Sequence, residues 1–163
     1  MSNLIVDAII EIPTGSQNKY EFDKEKGKYV LDRVLFSPMH YPTEYGYLDG
    51  TLALDGDPLD ILVIASFPTF PGCVIESRVI GVLVMSDDKG QDEKLLAVPT
   101  KDPRFKHVND LNDISQHVLK EIAHFFQVYK DLENKKTVIE GWKDAAFATN
   151  LYHECVDRAK QEA

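Results

Sequence analysis

The chain has 163 residues, of which 44% are hydrophobic and 28% charged, as is typical of one globular domain, and we expect a single domain over residues 1–163. Its net charge of −9 argues against nucleic-acid binding, which needs a basic face, and no apolar run is long enough to cross a membrane. Two cysteines are too few for a disulfide framework, and no basic and apolar leader opens the chain, so we expect a cytoplasmic protein.

The first two-thirds of the chain predicts short strands separated by turns. Stretches rich in β-branched and apolar residues alternate with the glycine and proline residues that punctuate strands. The predicted strands cover residues 4–12, 29–35, 61–65, 74–85 and 95–98, with a further strand around residues 19–21. Residues 41–47 are predicted to be rich in turns.

The last third changes to a helical period. Asp113 is predicted to cap a first helix, with Gln116 as its capping-box partner and apolar residues recurring from position 118 to 129. A second helix is predicted over residues 144–161. Short strands followed by two helices predict an α+β fold, and so many strands without crossover helices favour a small closed or nearly closed β-barrel.

The most informative segment is an acidic turn beside an apolar strand. Asp55, Asp57 and Asp60 lie close together in the sequence, and like charges this close are best tolerated when a cation lies between them. Carboxylate oxygens suit hard divalent ions, Mg²⁺ above all. Asp55 followed by Gly56 would on its own favour a solvated hairpin turn, but Pro58 stiffens the segment and argues for a fixed geometry.

Two other acidic motifs do not fit this segment. A calcium-binding EF-hand loop counted from Asp55 would need ligands where Leu59 and Ser66 stand, and glycine in place of Asp60. A nucleophilic aspartate of the haloacid-dehalogenase type would lead from a strand towards a helix, whereas another strand is predicted directly after this turn.

Other polar residues gain meaning only as a set. Asp87 and Asp92 separate two apolar strands, and alone they would indicate an exposed hairpin loop. The remaining residues, taken singly, would be surface ion pairs, snorkelling side chains, core aromatics or helix-end cations. They are Lys19, Glu21, Arg33, Tyr41, Tyr45, Tyr129 and Lys130.

Together these residues resemble the family I soluble inorganic pyrophosphatases of bacterial type. Residues 55–61, Asp-Gly-Asp-Pro-Leu-Asp-Ile, match that family's signature. Flanking pieces follow in the family's order, at residues 10–13, 19–21, 32–33, 41–47, 87–94, 124–132 and 140–142. The resemblance covers about residues 5–160 and implies a five-stranded, OB-like β-barrel with two main C-terminal helices packed outside. It also implies magnesium-dependent hydrolysis of pyrophosphate to two phosphates by a metal-activated water, without a covalent intermediate.

The resemblance implies a role for each matching position. The implied ligands, for several Mg²⁺ ions per active site, are Glu21, Asp55, Asp60, Asp87 and Asp92. The implied catalytic residues are Asp57, as the general base, with Tyr45 and Lys94. The implied substrate-binding residues are Lys19, Arg33, Tyr45, Lys94, Tyr129 and Lys130. Glu11, Tyr41 and Lys136 match further positions that line the cavity.

The chain departs from the family pattern at two positions. His40 and Glu44 stand where many bacterial members carry an aromatic residue and an asparagine, so altered metal affinity or pH optimum is an open expectation. The family's small bacterial members also imply a homohexamer. We expect the helix with Phe125 and Phe126 to be a subunit interface and place His124 at a subunit contact. For His117 and His124 we prefer packing or such a contact to metal binding.

Two other functions stay open at this point. A magnesium phosphohydrolase acting on nucleotides would need a base-binding surface, and the sequence contains no separate module for one. A noncatalytic OB-fold protein would carry basic and aromatic residues on the barrel face, whereas this face is predicted to be acidic.

Overall fold

Eight strands and two helices are present in the computed structural model, which describes residues 2–162. The strands are β1 (Ile5–Ile12), β2 (Asn18–Asp23), β3 (Lys28–Val34), β4 (Glu44–Tyr47), β5 (Asp60–Val63), β6 (Val74–Asp87), β7 (Gly90–Pro99) and β8 (Val138–Asp144). The helices are α1 (Gln116–Val128) and α2 (Ala145–Gln161). Short 3-10 turns lie at Pro103–Phe105, Leu111–Asp113 and Asp131–Glu133.

Five of these strands close into a barrel. The order β1-β4-β5-β7-β6 returns to β1, which pairs with β4 along one side and with β6 along the other. The β5–β7 pair is parallel, and its register sets Asp60 opposite Lys94. Strand β8 extends the sheet beyond β6. The predicted α+β fold, with a five-stranded barrel and two C-terminal helices, is therefore confirmed.

The barrel strands are apolar on both faces. Leu95 and Ala97 of β7 pack in one cluster with residues of α2, whereas Leu96 and Val98 pack in a second cluster with Phe125 and other residues of α1. Because successive strand residues point to opposite faces, a strand covered on both sides becomes a continuous apolar run. Asp60 and Lys94 lie two residues before Leu62 and Leu96, which puts both charges on the α1 face.

The barrel closes tightly at Gly46 of β4. A Cβ at this position would lie 2.0 Å from the carbonyl oxygen of Ile9 on β1, so only glycine allows the two strands to pair here. The glycine separates Tyr45 from Tyr47, and the period of the strand turns both phenols to one face.

Strands β2 and β3 form a hairpin outside the barrel ladder. They pair only with each other as a separate two-stranded sheet, with Lys19 opposite Arg33. None of the helices within residues 2–162 is both long and apolar enough to span a bilayer.

The helix caps correct one prediction. Helix α1 begins after Ser115, so the prediction that Asp113 caps it was wrong. The Asp113 carboxylate instead accepts the backbone N–H groups of Asn109 and Asp110 and closes a capping box on the preceding 3-10 turn. Asp144, the first residue of the predicted second helix, is the N-cap of α2 and accepts the N–H of Phe147 at 3.0 Å.

Three further expectations are corrected. Residues 44–47, predicted to be turns, form β4, and β8 was not predicted. Strands β6 and β7 stay paired up to the tight turn between Asp87 and Gly90, so Asp87 and Asp92 lie on strands and not in a loop. Phe125 and Phe126 are 2% and 0% exposed and therefore belong to the core, so they cannot themselves supply the subunit contact predicted for their helix. His124 on the same helix is exposed.

Candidate active site

The predicted site residues converge on one cavity of about 440 Å³ at the α1 face of the barrel. The barrel, the hairpin and the end of α1 all contribute to its lining. The predicted residues that line it are Glu11, Lys19, Glu21, Tyr45, Asp55, Asp57, Asp60, Asp87, Asp92, Lys94, Tyr129 and Lys130. The sequence places these residues up to 119 positions apart along the chain, from position 11 to position 130.

Lys94 is the buried centre of this cavity. Its side chain is 1% exposed, and Nζ lies 2.9 Å from Asp60 Oδ2 and 3.1 Å from Asp92 Oδ2. Nζ also donates to the Tyr45 hydroxyl at 2.9 Å, and that hydroxyl donates to Asp60 at 2.8 Å. Burial alone would lower the pKa of Lys94, but Asp60, Tyr45 and Asp92 outweigh it and raise that pKa well above the usual value, so the ammonium stays charged.

The acidic turn between β4 and β5 is held by its own backbone. Asp55 Oδ1 accepts the N–H of Asp57 at 3.0 Å, and Gly56 between them has φ of 90°, a conformation that favours glycine. Burial raises the pKa of Asp55, which the Asp57 N–H partly opposes. Asp57 itself is exposed, so its carboxylate is accessible to a reactant in the cavity.

Excess negative charge remains in the cavity. Burial raises the pKa of Glu11 to about 7, even though its carboxylate accepts the Phe22 N–H at 3.1 Å. Burial also raises the pKa of Asp92, and Asp60 adds to that rise, although Lys94 opposes it. A single buried ammonium therefore does not balance this group of carboxylates.

Other groups that line the cavity are cationic and phenolic. Lys19 comes from the hairpin, and Tyr129 and Lys130 come from the end of α1. Burial raises the pKa of Tyr129 to about 12 and lowers the pKa of Lys130, whose Nζ lies 3.9 Å from Asp87. Tyr129 is therefore a neutral O–H donor at physiological pH.

Three predicted site residues do not line the cavity. Arg33 is paired with Asp32 at 2.7 Å and with Glu133 at 2.9 Å. Tyr41 is 2% exposed and packs behind Tyr45, with their ring centroids 5.8 Å apart. Lys136 is exposed and lies outside the lining.

Sequence reasoning assigned no role to Tyr47, which also lines the cavity. Its position two residues after Tyr45 on one strand was the available signal. Lys24 and Lys89 line the cavity from exposed turns, and nothing in the local sequence distinguishes them from other surface lysines.

Glu44 does not line the cavity and instead has a structural role. It is 0% exposed and lies on the opposite face of β4 from Tyr45. Its carboxylate accepts the backbone N–H groups of Thr14 and Thr69 and the Thr69 hydroxyl, which ties two loops to the barrel. The position gives no support to a direct effect of Glu44 on metal affinity. His40 is exposed and also lies outside the cavity lining.

The donor set suits a hard divalent cation. Within residues 2–162 no group of three or more histidine, cysteine or carboxylate side chains is already gathered as a closed metal site, and Lys94 Nζ lies between Asp60 and Asp92. The cavity nevertheless presents carboxylate oxygens, which Mg²⁺ prefers. Because burial raises the pKa values of Asp55 and Asp92, added positive charge beside these two would be favourable. The residues that could hold such ions are Glu21, Asp55, Asp60, Asp87 and Asp92.

Comparisons with known proteins agree over nearly the whole chain. Residues 8–160 match the family described as inorganic pyrophosphatase. The chain is 64% identical to the inorganic pyrophosphatase of Halalkalibacterium halodurans over 156 residues, covering 96% of each protein. It is 62% identical to that of Geobacillus stearothermophilus, covering 98% of this chain and 97% of the relative. The crystal structure of inorganic pyrophosphatase from Thermus thermophilus superposes with a TM-score of 0.93 at 44% identity, covering 96% of this chain and 91% of that one.

Proposed function

The chain belongs to the inorganic pyrophosphatase family and is an inorganic diphosphatase, and from this premise we propose that it hydrolyses pyrophosphate to two phosphates with Mg²⁺ and an activated water, without a covalent intermediate. The observation that carries this proposal is the cavity itself. It brings a group of carboxylates together with Lys19 and Lys130, as a site for a metal-bound polyanion requires.

The proposed metal ligands are Asp55, Asp60 and Asp92 for a first ion, with Asp60 shared by a second. Asp87, Asp92 and Glu21 would hold the ions that accompany the substrate. When bound, Mg²⁺ would neutralise part of the pyrophosphate charge and lower the pKa of a water towards neutrality. Burial raises the pKa of Asp55 and of Asp92, and a cation bound beside them would favour their ionised forms, which supports this assignment.

Asp57 is proposed as the general base. Its backbone N–H is bound to Asp55, so the two side chains leave the same rigid turn, and its own carboxylate is exposed to the cavity. A carboxylate there can accept a proton from the attacking water within hydrogen-bond reach. Asp57 is not one of the proposed metal ligands, so proton transfer and metal binding are carried out by different residues.

The cations and phenols are proposed to bind phosphate. Lys94 and Tyr45 stay protonated, because the pKa of each is raised well above its usual value, and both can therefore donate to a phosphoryl oxygen. Lys19, Lys130 and Tyr129 line the same cavity, and Arg33 contacts the Asp32 carboxylate that Lys19 also contacts. Fixed donors of this kind stabilise the charge that gathers on the transferring and departing phosphates.

Phosphate release tests this proposal. Pyrophosphate is supplied with Mg²⁺, then with a chelator, and ATP serves as the control substrate. Fast release that requires Mg²⁺ and spares ATP is expected. Equal release from ATP would favour a nucleotide phosphohydrolase. No release from folded protein, together with an electrophoretic shift of single-stranded nucleic acid at physiological salt, would favour a noncatalytic binding protein. Ca²⁺ in place of Mg²⁺ should bind yet support little hydrolysis, because its looser coordination would misplace the water.

We also propose a cytoplasmic homohexamer. Exposed His124 on α1 supports a subunit contact, although its neighbours Phe125 and Phe126 are buried. The two cysteines, Cys73 and Cys155, are free, which suits a reducing compartment. Sedimentation at micromolar concentration is expected to give a hexamer, and a monomer would contradict this assembly.

A further inference from the structure

A buried carboxylate outside the predicted site lies beside Arg33. Glu133 belongs to the 3-10 turn Asp131–Glu133, which follows Lys130 at the end of α1. Its side chain is 6% exposed, and Oε1 lies 2.9 Å from Arg33 Nε. This contact is an ion pair and not an aligned hydrogen bond, since Arg33 Nε has no hydrogen-bond partner in the described chain. The second carboxylate oxygen, Glu133 Oε2, is also buried without such a partner there. Glu133 therefore has Arg33 as its ionic partner and is excluded from bulk water.

Arg33 is held from a second side by Asp32. Arg33 Nη1 donates to Asp32 Oδ2 at 2.7 Å, and the same oxygen accepts Lys19 Nζ at 3.1 Å. The four side chains thus form a continuous chain of alternating charge, in the order Lys19, Asp32, Arg33, Glu133. Lys19 lines the cavity, and it is the register partner of Arg33 in the hairpin. The guanidinium therefore lies one carboxylate away from the cavity wall.

The two acids keep the guanidinium charged and oriented. Burial alone would lower the pKa of Arg33, but Glu133 and Asp32 together outweigh burial and raise it. A guanidinium is planar, so carboxylates at Nε and at Nη1 restrict its orientation more than one carboxylate would. Loss of either acid would leave the charge in place but free the group to turn.

The turn that carries Glu133 is itself fixed. Asn134 has φ of 59°, a left-handed conformation that asparagine tolerates, and its N–H donates to the Asp131 carbonyl at 3.0 Å. The Lys135 N–H returns to the Lys130 carbonyl at 3.2 Å. One short turn therefore carries Lys130, which lines the cavity, and Glu133, which contacts Arg33.

We propose that Glu133 is a positioning residue, which holds the Arg33 guanidinium beside Lys19 so that it can contact a phosphate of the substrate. Glu133 acts only through Arg33 and touches no substrate itself. This inference rests on the proposed function, and in particular on the proposed phosphate contact of Arg33.

A double-mutant cycle tests the proposal in the full-length enzyme with Mg²⁺ and pyrophosphate. Glu133→Gln should raise KM about tenfold, because Arg33 loses the ion pair that orients it towards a substrate phosphate. It should change kcat by less than about threefold, because nothing changes at the reacting atoms. Arg33→Gln should raise KM at least as much. In the Arg33→Gln background, Glu133→Gln should add less than about twofold, because the two residues act as one unit.

The control is Asp131→Asn, which removes a carboxylate from an exposed position of the same turn and should leave KM unchanged. Glu133→Asp keeps the charge but shortens the side chain, and it should raise KM in the same direction if Glu133→Gln folds poorly. An unchanged KM in folded Glu133→Gln, or a full additional loss in the Arg33→Gln background, would overturn the inference alone. If Arg33→Gln leaves KM unchanged, the proposed phosphate contact of Arg33 fails and the inference fails with it.

Discussion

The two walls of the cavity differ in how the fold holds them. On the barrel wall, Asp60 and Lys94 are register partners in the parallel β5–β7 pair, and their backbones belong to the closed ladder. On the hairpin wall, Lys19 and Glu21 lie on a separate two-stranded sheet. Backbone hydrogen bonds of the closed ladder join the groups on the barrel wall, whereas the hairpin is attached to the barrel by contacts outside that ladder.

The hairpin is held partly by the packing of Tyr20 against the core cluster on the α1 face, and partly by polar contacts. The Glu11 carboxylate of β1 accepts the Phe22 N–H of the hairpin, and Arg33 pairs with Glu133 beyond α1. We infer that groups needing exact alignment with the reacting atoms lie on the barrel and its β4–β5 turn, whereas the phosphate contacts on the hairpin serve substrate binding alone. Barrel-wall changes should then act on kcat, and hairpin-wall changes on KM.

Among the variants that test this comparison, Asp57→Asn should have the largest effect, and it should act on kcat. We expect kcat to fall about 10²–10⁴-fold, because the general base is lost, while Mg²⁺ binding measured by calorimetry is retained. Asp49→Asn, at an exposed position outside the cavity lining, is the matched control. Near-normal turnover would remove Asp57 as the base and place proton transfer elsewhere.

Lys94→Gln tests how much the barrel wall depends on its buried cation. Asp60 and Asp92 would then face each other without the ammonium, and breaking a buried ion pair typically costs about 3–5 kcal/mol of stability. The loss should appear in urea unfolding with chelator and should shrink when Mg²⁺ is added. Lys120→Gln, at an exposed position of α1, is the control. An equal loss with and without Mg²⁺ would contradict the view that metal ions and Lys94 balance the same charges.

Local pattern predicted most of the fold but little of the cavity. Strands such as β1 and β7 could be predicted from continuous apolar runs bounded by turn residues. Strand β4 could not, because it has only four residues and includes Gly46, which reads as a turn until the close approach of Ile9 is known. Strand β8 contains Glu140 and Gly141, which mask its extended conformation.

The site needed more than local pattern. Taken one at a time, Lys19, Arg33 and Tyr129 had ordinary surface or core explanations, and only the ordered resemblance joined them. The contact between Arg33 and Glu133 spans 100 positions of the sequence, and it depends on where the hairpin meets the end of α1. No short-range rule specifies that meeting. The same limit explains the error at Asp113, since Asp110 and Ser115 were equally suitable caps nearby.

Lys19→Gln tests the hairpin wall with a smaller expected effect. We expect KM for pyrophosphate to rise about tenfold, with kcat changed by less than about threefold, because a charged contact to the bound substrate is lost. Lys28→Gln, at an exposed position at the far end of the same hairpin, should behave like the unmodified enzyme. A fall in kcat without a change in KM would end the proposed division between the two walls.

Glu11, which connects the barrel to the hairpin, should make the stability of the protein depend on pH, and this is the smallest effect we predict. Burial raises the pKa of Glu11 from 4.5 to about 7 in the folded protein. Between these values the folded chain binds more protons than the unfolded chain, so stability falls as pH rises through this window. Glu11→Gln cannot ionise, and its stability relative to the unmodified protein should therefore increase from pH 5 to pH 8.

The relative stability of Glu11→Gln should increase by at most about 3 kcal/mol. Solvent access to part of the carboxylate should keep the increase below this limit. Urea unfolding with chelator at the two pH values measures it, and Glu25→Gln, at an exposed position in the turn of the hairpin, is the control. Added Mg²⁺ should reduce the difference, since a nearby cation favours the ionised carboxylate. A difference that does not change with pH would mean that Glu11 is already ionised at pH 5, and that it joins hairpin to barrel as a charged group throughout.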